Sequence, residues 1–528
     1  MTVPEILRWC AHNWPDKEAI VEMDPVSATR RALTYKQYDD RVNMLANALL
    51  DSGIKKGDMV LHLMRNGIEW LETYFAIIRI GAIVVPLNFR FTSDDVKYAA
   101  DICEPPLIIV EDRLTNVIMP IHSSLTSIRN FVCIGEDVPS GMLQYEQFIK
   151  GHSANHPDIQ ISEDDESGLY FTSGTTGKPK PILFTHKNLY SSAIMNGLNW
   201  PLNNDDNFII HIPLFHTAAF MFWLPFLFWG AKCTFLQKFS GSYLFETIDR
   251  EKGTYIAAPL PQCVEIINSM RNEEIKEAGY DLSSLRIINT GGSPYPKDVL
   301  KDLMDLFPRA DIVHCWGLSE GGGAGTATTI TSAELRKKLG STGKPAPMVD
   351  IKIVDNKGND IVTGETGEII IRTERNMKAY YKNPQMTSEI LKEGWLYSGD
   401  IGKFDEDGYL YITDRKKDVI ISGGENVYPA EVEEVLLTHP KIVDAAVIST
   451  PDDKFGECVT AVITLKSGEV IDKEELLKWC IEKFPAFKRP RKIEFGDIPR
   501  AGAVQKIIKS ELRRRYSGEE TIMKGYTS

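Results

Sequence analysis

The sequence predicts a large α/β N-terminal domain with parallel-rich sheets, followed by a small α+β C-terminal domain. Three observations predict it. The 528 residues exceed one ordinary domain, and 43% of them are hydrophobic, enough for at least one large core. Short β-rich runs alternate with helical patterns over residues 35–112 and again from residue 207, which implies parallel strands joined by helical crossovers. From Gly364 the texture turns to short strands and tight turns, and a compact mixed unit follows "DRKKD" at 414–418.

In chain order, "YKQYDDRVNMLANALLDSG" reads as a helix, "DMVLHLM" as a strand and "IEWLETYFAIIRIG" as a helix. The strand "AIVVPLN", the helix "SDDVKYAADIC" and the strand "PLIIVED" continue the alternation. It recurs around "NFIIHIP", "CTFLQ", "YIAAP", "LRIINTGG" and "ADIVHCWG". The longest apolar stretch, "AAFMFWLPFLFWGA" at 218–231, falls short of the ~20 residues that span a bilayer, and Pro225 interrupts it; it reads as a core helix or pocket wall. The domains divide as 1–413 and 414–528. In the second, Pro429 suits the first turn of the helix "PAEVEEVLLTHP". Strands "IVDAAVIST" and "CVTAVITL", the helix "KEELLKWCIEK" and a basic tail complete it, with Arg513 to Arg515 reading as solvated helix charges.

A formal charge of -13 argues against nucleic-acid or anionic-membrane partners, so any anionic ligand must meet local positive charge. Eight cysteines without a CxxC pair read as reduced thiols in a cytoplasm rather than disulfides or a zinc site. The N-terminus lacks a basic region followed by an apolar run, so no signal peptide is expected.

The loop "YFTSGTTGKPK", Tyr170 to Lys180, fails the Walker A template, because five residues after Gly174 comes Pro179. Glycine still permits close backbone approach to phosphate, and Ser or Thr supplies neutral donors. Composition alone leaves phosphate binding and an ordinary surface turn equally open.

The full string "TSGTTGKPK" resembles the phosphate-loop signature of the adenylate-forming superfamily, which includes acyl-CoA synthetases, adenylation domains and luciferases. "IPLFHT", "TGGSPYP", "CWGLSE", "GETGEI", "WLYSGD", "DRKKDVIISGGENVYPAEVE" and "KIIKSEL" match in the same order, so the resemblance covers nearly the whole chain. It implies an AMP-forming carboxylate:CoA ligase of the acyl-CoA synthetase branch, using ATP, Mg2+ and coenzyme A on a fatty, aromatic or alicyclic acid. A stand-alone enzyme loading a carrier-protein thiol and a non-catalytic nucleotide-binding homologue are the alternatives. A small carboxylic acid is the expected partner, with no nucleic acid, no integral membrane segment and self-association left open.

The resemblance also implies the site. Both reactants are anions, so charge neutralisation and alignment dominate the chemistry. Thr172, Ser173, Thr175, Thr176 and Lys178 would solvate the β- and γ-phosphates, with Thr175 counted among the catalytic groups. Glu320 matches the magnesium-bridging glutamate, and Ser319 stands where threonine is usual. Trp316 replaces the more frequent tyrosine and would stack on adenine, with His314 and Cys315 at the adenine edge. The turn holding Gly292, Ser293 and Pro294 would pass beneath adenine and the acyl carbonyl. Asp400 matches the ribose-binding aspartate; Arg415 would add a ribose or phosphate contact, or pair with Asp400. Lys417 matches the hinge, and Gly424 the glycine beside the pantetheine arm. Lys488, Arg489 and Arg491 would meet CoA phosphates. Lys506 matches the mobile catalytic lysine, although its approach reads "PRAGAVQK", one residue longer than the usual "PRTxxGK". His216 would stand at the carboxylate end of an acyl pocket to which 321–327, "GGGAGTA", lends small residues.

Overall fold

The computed structural model describes residues 1–172, 179–293, 295–324, 326, 331–452, 454–501 and 506–516, without the side chains of Ala218, Ala324, Ala501 and Lys506. Two large sheets organise the N-terminal part. One has seven strands, in which Glu18–Asp24, Lys232–Leu236, Asn207–Ile210, Tyr255–Ala257, Ile287–Gly291 and Asp311–Cys315 are all parallel, with Thr29–Thr34 antiparallel at one edge. The other has eight; its parallel strands include Met59–Leu63, Ile83–Pro86, Leu107–Glu111 and Asn130–Ile134. In it Glu166–Thr172 turns back antiparallel as Lys180–Thr185.

Side-chain alternation along the strands decides the layering. Phe208, Ile210, Tyr255 and Ala257 enter the same core as Val60, Val84 and Ile109 of the other sheet. Helices Tyr35–Asp51, Ile68–Arg79, His186–Asn199 and Thr217–Phe228 contribute to that shared core and so lie between the sheets. Ile209, Ile256, Ile288 and Ile312 face the opposite way, under helices Gly241–Glu251, Leu260–Arg271 and Lys297–Leu306. The outer face of the eight-stranded sheet is closed by Ser93–Cys103 through Val96, Ala99 and Ala100. The apolar stretch around Pro225 is thus a central helix, and no helix among the described residues is long and apolar enough to cross a membrane.

Local signals match these elements. Thr34 accepts from Gln37 N while the Gln37 side chain accepts from Thr34 N, a reciprocal cap that fixes where the helix Tyr35–Asp51 begins. A third, antiparallel sheet contains Asp350–Val354, Gly367–Arg372, Trp395–Phe404 and Leu410–Arg415. Arg415 still pairs with Asp400 there; a short turn at 416–418 follows, and the next sheet begins at Ile420. That last sheet, built on the hairpin Ile442–Asp452 and Gly456–Leu465, has its own core of Val447, Val459, Ala461 and Leu476. Arg513 is not a solvated helix charge: from Lys509–Tyr516 it reaches Asp418 at 2.7 Å, and Lys509 pairs with Glu433 at 2.7 Å. The terminal helix is therefore tied beside the turn at 416–418.

Candidate active site

Three sheets converge on one cleft of about 820 Å³. Its floor comes from the carboxyl ends of the seven-stranded sheet: Ile212 and Pro213, Ala257 and Ala258, Asn289 with Gly291 and Gly292, and Cys315. Open parallel sheets bind ligands at this end, because neighbouring crossovers leave a crevice there. Thr172 and Lys180 enter from the eight-stranded sheet, and Ser398, Gly399 and Arg415 from the third.

At Gly291 the backbone requires glycine, since a Cβ would lie 2.5 Å from the Cys315 carbonyl oxygen. Gly292 follows at φ +81°, the left-handed region that glycine adopts without strain. The next residue, Ser293, has a buried hydroxyl without a hydrogen-bond partner among the described residues. A bare backbone turn with an unmatched hydroxyl fits a planar polar ligand.

Glu320 and Ser319 line the cleft through a short helical turn after Gly317–Leu318. Tyr380 donates to Glu320 Oε1 at 2.7 Å, and Met377 N donates to the Glu320 carbonyl at 2.8 Å. Burial and the neighbouring carboxylate push the Tyr380 pKa up, so the phenol stays protonated and donates. Lys180 Nζ sits 5.4 Å from the Tyr380 ring centroid. Tyr380 and Lys180 are members of the site that the motif reading passed over. The loop between Thr172 and Lys180 carries Ser173, Thr175, Thr176 and Lys178, which lie outside the described residues, as does Pro294.

Asp400 stands behind the cleft wall and is only 3% exposed. Its Oδ1 pairs with Arg415 Nε at 2.5 Å, and its Oδ2 accepts the Trp316 indole N–H at 2.7 Å. Trp316 itself packs with Ile353, Ile369, Ile371, Leu396 and Leu410. His314 is also buried, with Nδ1 2.9 Å from Thr290 Oγ1, and burial pulls its pKa down to about 4. Of the expected adenine edge, therefore, Cys315 reaches the cleft surface while His314 and Trp316 support it from behind.

His216 lines the cleft just before the helix Thr217–Phe228 and packs on Phe215 at 4.4 Å. Burial, reinforced by the charge of Arg90, lowers its pKa to about 4, so the imidazole is neutral at pH 7. Beyond it lie Ala219, Met221, Phe222, Ala257 and Gly323, a largely apolar chamber. At Gly323, φ +106°, a Cβ would come within 2.4 Å of Met221 Sδ.

Lys417 lines the cleft mouth, where burial lowers its pKa. Gly424, φ +86°, belongs to the hairpin Ile420–Ser422 and Glu425–Val427 and is not among the described cleft residues. Lys488 pairs with Glu431, and Arg491 stacks on Phe455 at 3.8 Å and donates to Ser422 Oγ at 3.1 Å. Lys506 pairs through its backbone with Ala501; its side chain lies outside the described residues.

The donor set fits magnesium. Glu320, Ser319 and Thr172 present oxygen at the cleft, and among the described residues no group of three or more His, Cys, Asp or Glu could hold a metal alone. Magnesium commonly takes one or two carboxylates and completes its shell with phosphate and water.

A family model described as AMP-binding enzyme matches residues 7–381, and one described as AMP-binding enzyme C-terminal domain matches residues 431–503. Feruloyl-CoA synthase of Amycolatopsis sp is 34% identical over 511 residues, covering 96% of this chain and 98% of the relative. The crystal structure of the anthranilate CoA ligase AuaEII with anthranoyl-AMP superposes with a TM-score of 0.84 at 26% identity, covering 98% of this chain and 97% of that one. The o-succinylbenzoate coenzyme A synthetase of Bacillus subtilis with ATP and magnesium ion gives 0.81 at 26% identity, covering 96% and 98%.

Proposed function

The chain belongs to the AMP-binding enzyme family and is an AMP-forming carboxylate:CoA ligase; from that premise we propose that it activates an apolar, aromatic-type acid with the residues gathered around the 820 Å³ cleft. The observation that carries this is the convergence of Thr172, His216, Gly291, Gly292, Glu320 and Arg415 on one crevice at the strands' carboxyl ends. The adenine lies over Gly291 to Ser293 at the Cys315–Trp316 edge, the ribose meets Asp400 and Arg415, and the phosphates run toward Thr172 and the loop after it. The acid enters past His216 into the chamber of Met221, Phe222 and Gly323.

In the first step a carboxylate oxygen bonds to the α-phosphorus as the bond to pyrophosphate breaks. Glu320 and Ser319 would hold magnesium, which neutralises phosphate charge when bound. His216 is uncharged at neutral pH, so it orients the acid without offsetting its charge. A cation must come from elsewhere, and Lys506 of the small domain is assigned that part. In the second step the CoA thiol attacks the acyl carbon, loses its proton, and AMP leaves. One cleft cannot present both Lys506 and a thiol channel to that carbon. The small domain that follows the turn at 416–418 therefore rotates about Lys417 between steps and brings Gly424 beside the pantetheine arm.

The test is exchange of labelled pyrophosphate into ATP across a panel of acids. Acid-dependent exchange supports the reading. Nucleotide binding without exchange by any acid removes it.

A further inference from the structure

Asp400 takes two strong donors at once, and they come from different places in the chain. Arg415 Nε meets Oδ1 at 2.5 Å, and the Trp316 indole N–H meets Oδ2 at 2.7 Å. Arg415 is the last residue of its strand, one step before the turn at 416–418, and its side chain is 36% exposed. Trp316 is set in the large domain. Its ring is 7% exposed among Ile353, Ile369, Leu396 and Leu410. Its backbone is tied to Thr326: Trp316 N donates to Oγ1 at 3.1 Å, and Thr326 N donates to the Trp316 carbonyl at 3.2 Å. The arginine stands at the pivot and the tryptophan does not.

We infer that Trp316 is a positioning residue that fixes the Asp400 carboxylate for the nucleotide ribose through both halves of the reaction, and thereby contributes to recognition of the ribose 3′-hydroxyl. This rests on the reading of Asp400 as the ribose ligand. Each carboxylate oxygen accepts more than one hydrogen bond, so a protein donor on Oδ2 leaves acceptor capacity for a ribose hydroxyl. The terminal torsion of an aspartate is broad and roughly two-fold, so donors on both oxygens fix the carboxylate plane more narrowly than a donor on one. The ring matters here for its N–H as well as its face: a phenylalanine fills much of the same apolar site and brings no donor.

The experiment compares ATP with 3′-deoxy-ATP in acid-dependent acyl-CoA formation for the wild type, Trp316→Phe and Asp400→Asn. A hydrogen bond to a charged group leads us to expect kcat/KM for ATP to fall roughly 10- to 100-fold in Trp316→Phe, carried by KM for ATP, with KM for the acid unchanged. The 3′-deoxy substrate should lose far less, so the preference for ATP shrinks. A purely structural tryptophan would lower both nucleotides equally. If Trp316→Phe does not fold, benzothienylalanine at position 316 keeps the shape, replaces N–H by sulfur, and decides the matter alone. Loss of preference in Asp400→Asn but not at position 316 overturns the inference and leaves the ribose site standing. Unchanged preference in all variants overturns both.

Discussion

Replacing Tyr380 by phenylalanine removes one oxygen and leaves the ring in place. That oxygen is 2.7 Å from Glu320 Oε1, and Tyr380 is 5% exposed. A hydrogen bond to a charged group contributes ~1.5–3 kcal/mol. Glu320 is half-buried at a cleft, which argues for the lower end, about 1.5 kcal/mol or roughly tenfold in an equilibrium constant. Two effects oppose each other: a carboxylate released from a donor is a slightly stronger ligand, but it loses its fixed direction. Magnesium demands near-ideal octahedral geometry, so direction wins. In a magnesium titration of pyrophosphate exchange, Tyr380→Phe should need roughly tenfold more free Mg2+ for half-maximal rate, with the rate recovering at saturation. An unchanged magnesium requirement, or a uniform rate loss accompanied by a lower Tm, would refute the positioning of Glu320 by Tyr380.

Lys506→Ala should suppress pyrophosphate exchange far more than thioester formation from preformed acyl-adenylate; equal losses would remove its assigned part. Met221→Ala opens the chamber opposite Gly323, and kcat/KM should shift toward bulkier acids, read as a changed ranking across the acid panel rather than a uniform loss. Burial lowers the pKa of His62 to about 3 and of His211, His216 and His314 to about 4. The unfolded chain then binds protons that the folded one refuses between about pH 6.5 and pH 4, so stability falls as pH drops through that window and these groups leave it flat above pH 7. Each contributes up to ~1.4 kcal/mol per pH unit there, which urea midpoints at pH 7.5 and 5.5 would register; a higher midpoint at pH 5.5 would contradict it.

What was legible in the sequence is what local pattern dictates. Apolar runs such as "NFIIHIP" and helical patterns such as Tyr35–Asp51 stand where the strand–helix alternation put them, because their buried residues are written within a few positions. Glu320 and His216 were legible as parts of short motifs, and both reach the cleft. The supports were not. Tyr380 meets Glu320 across 60 residues, Trp316 meets Asp400 across 84, and Arg513 meets Asp418 across 95. Each pair joins elements that only the packing of separate sheets brings together, and no spacing rule encodes that. Trp316 carried a signal of another kind: an indole where a phenol is usual is a change of donor position as well as of ring. Arg513 lay in a basic run whose charges look alike until the terminal helix is seated beside the turn at 416–418.

The chemistry is tested most directly by following oxygen. With the acid's carboxylate labelled with ¹⁸O, attack on the α-phosphorus followed by thiolysis should leave one labelled oxygen in the phosphate of AMP. Label found in inorganic phosphate, with ADP as the nucleotide product, would mean that the acid is activated as an acyl phosphate and that the cleft does not join carboxylate to AMP.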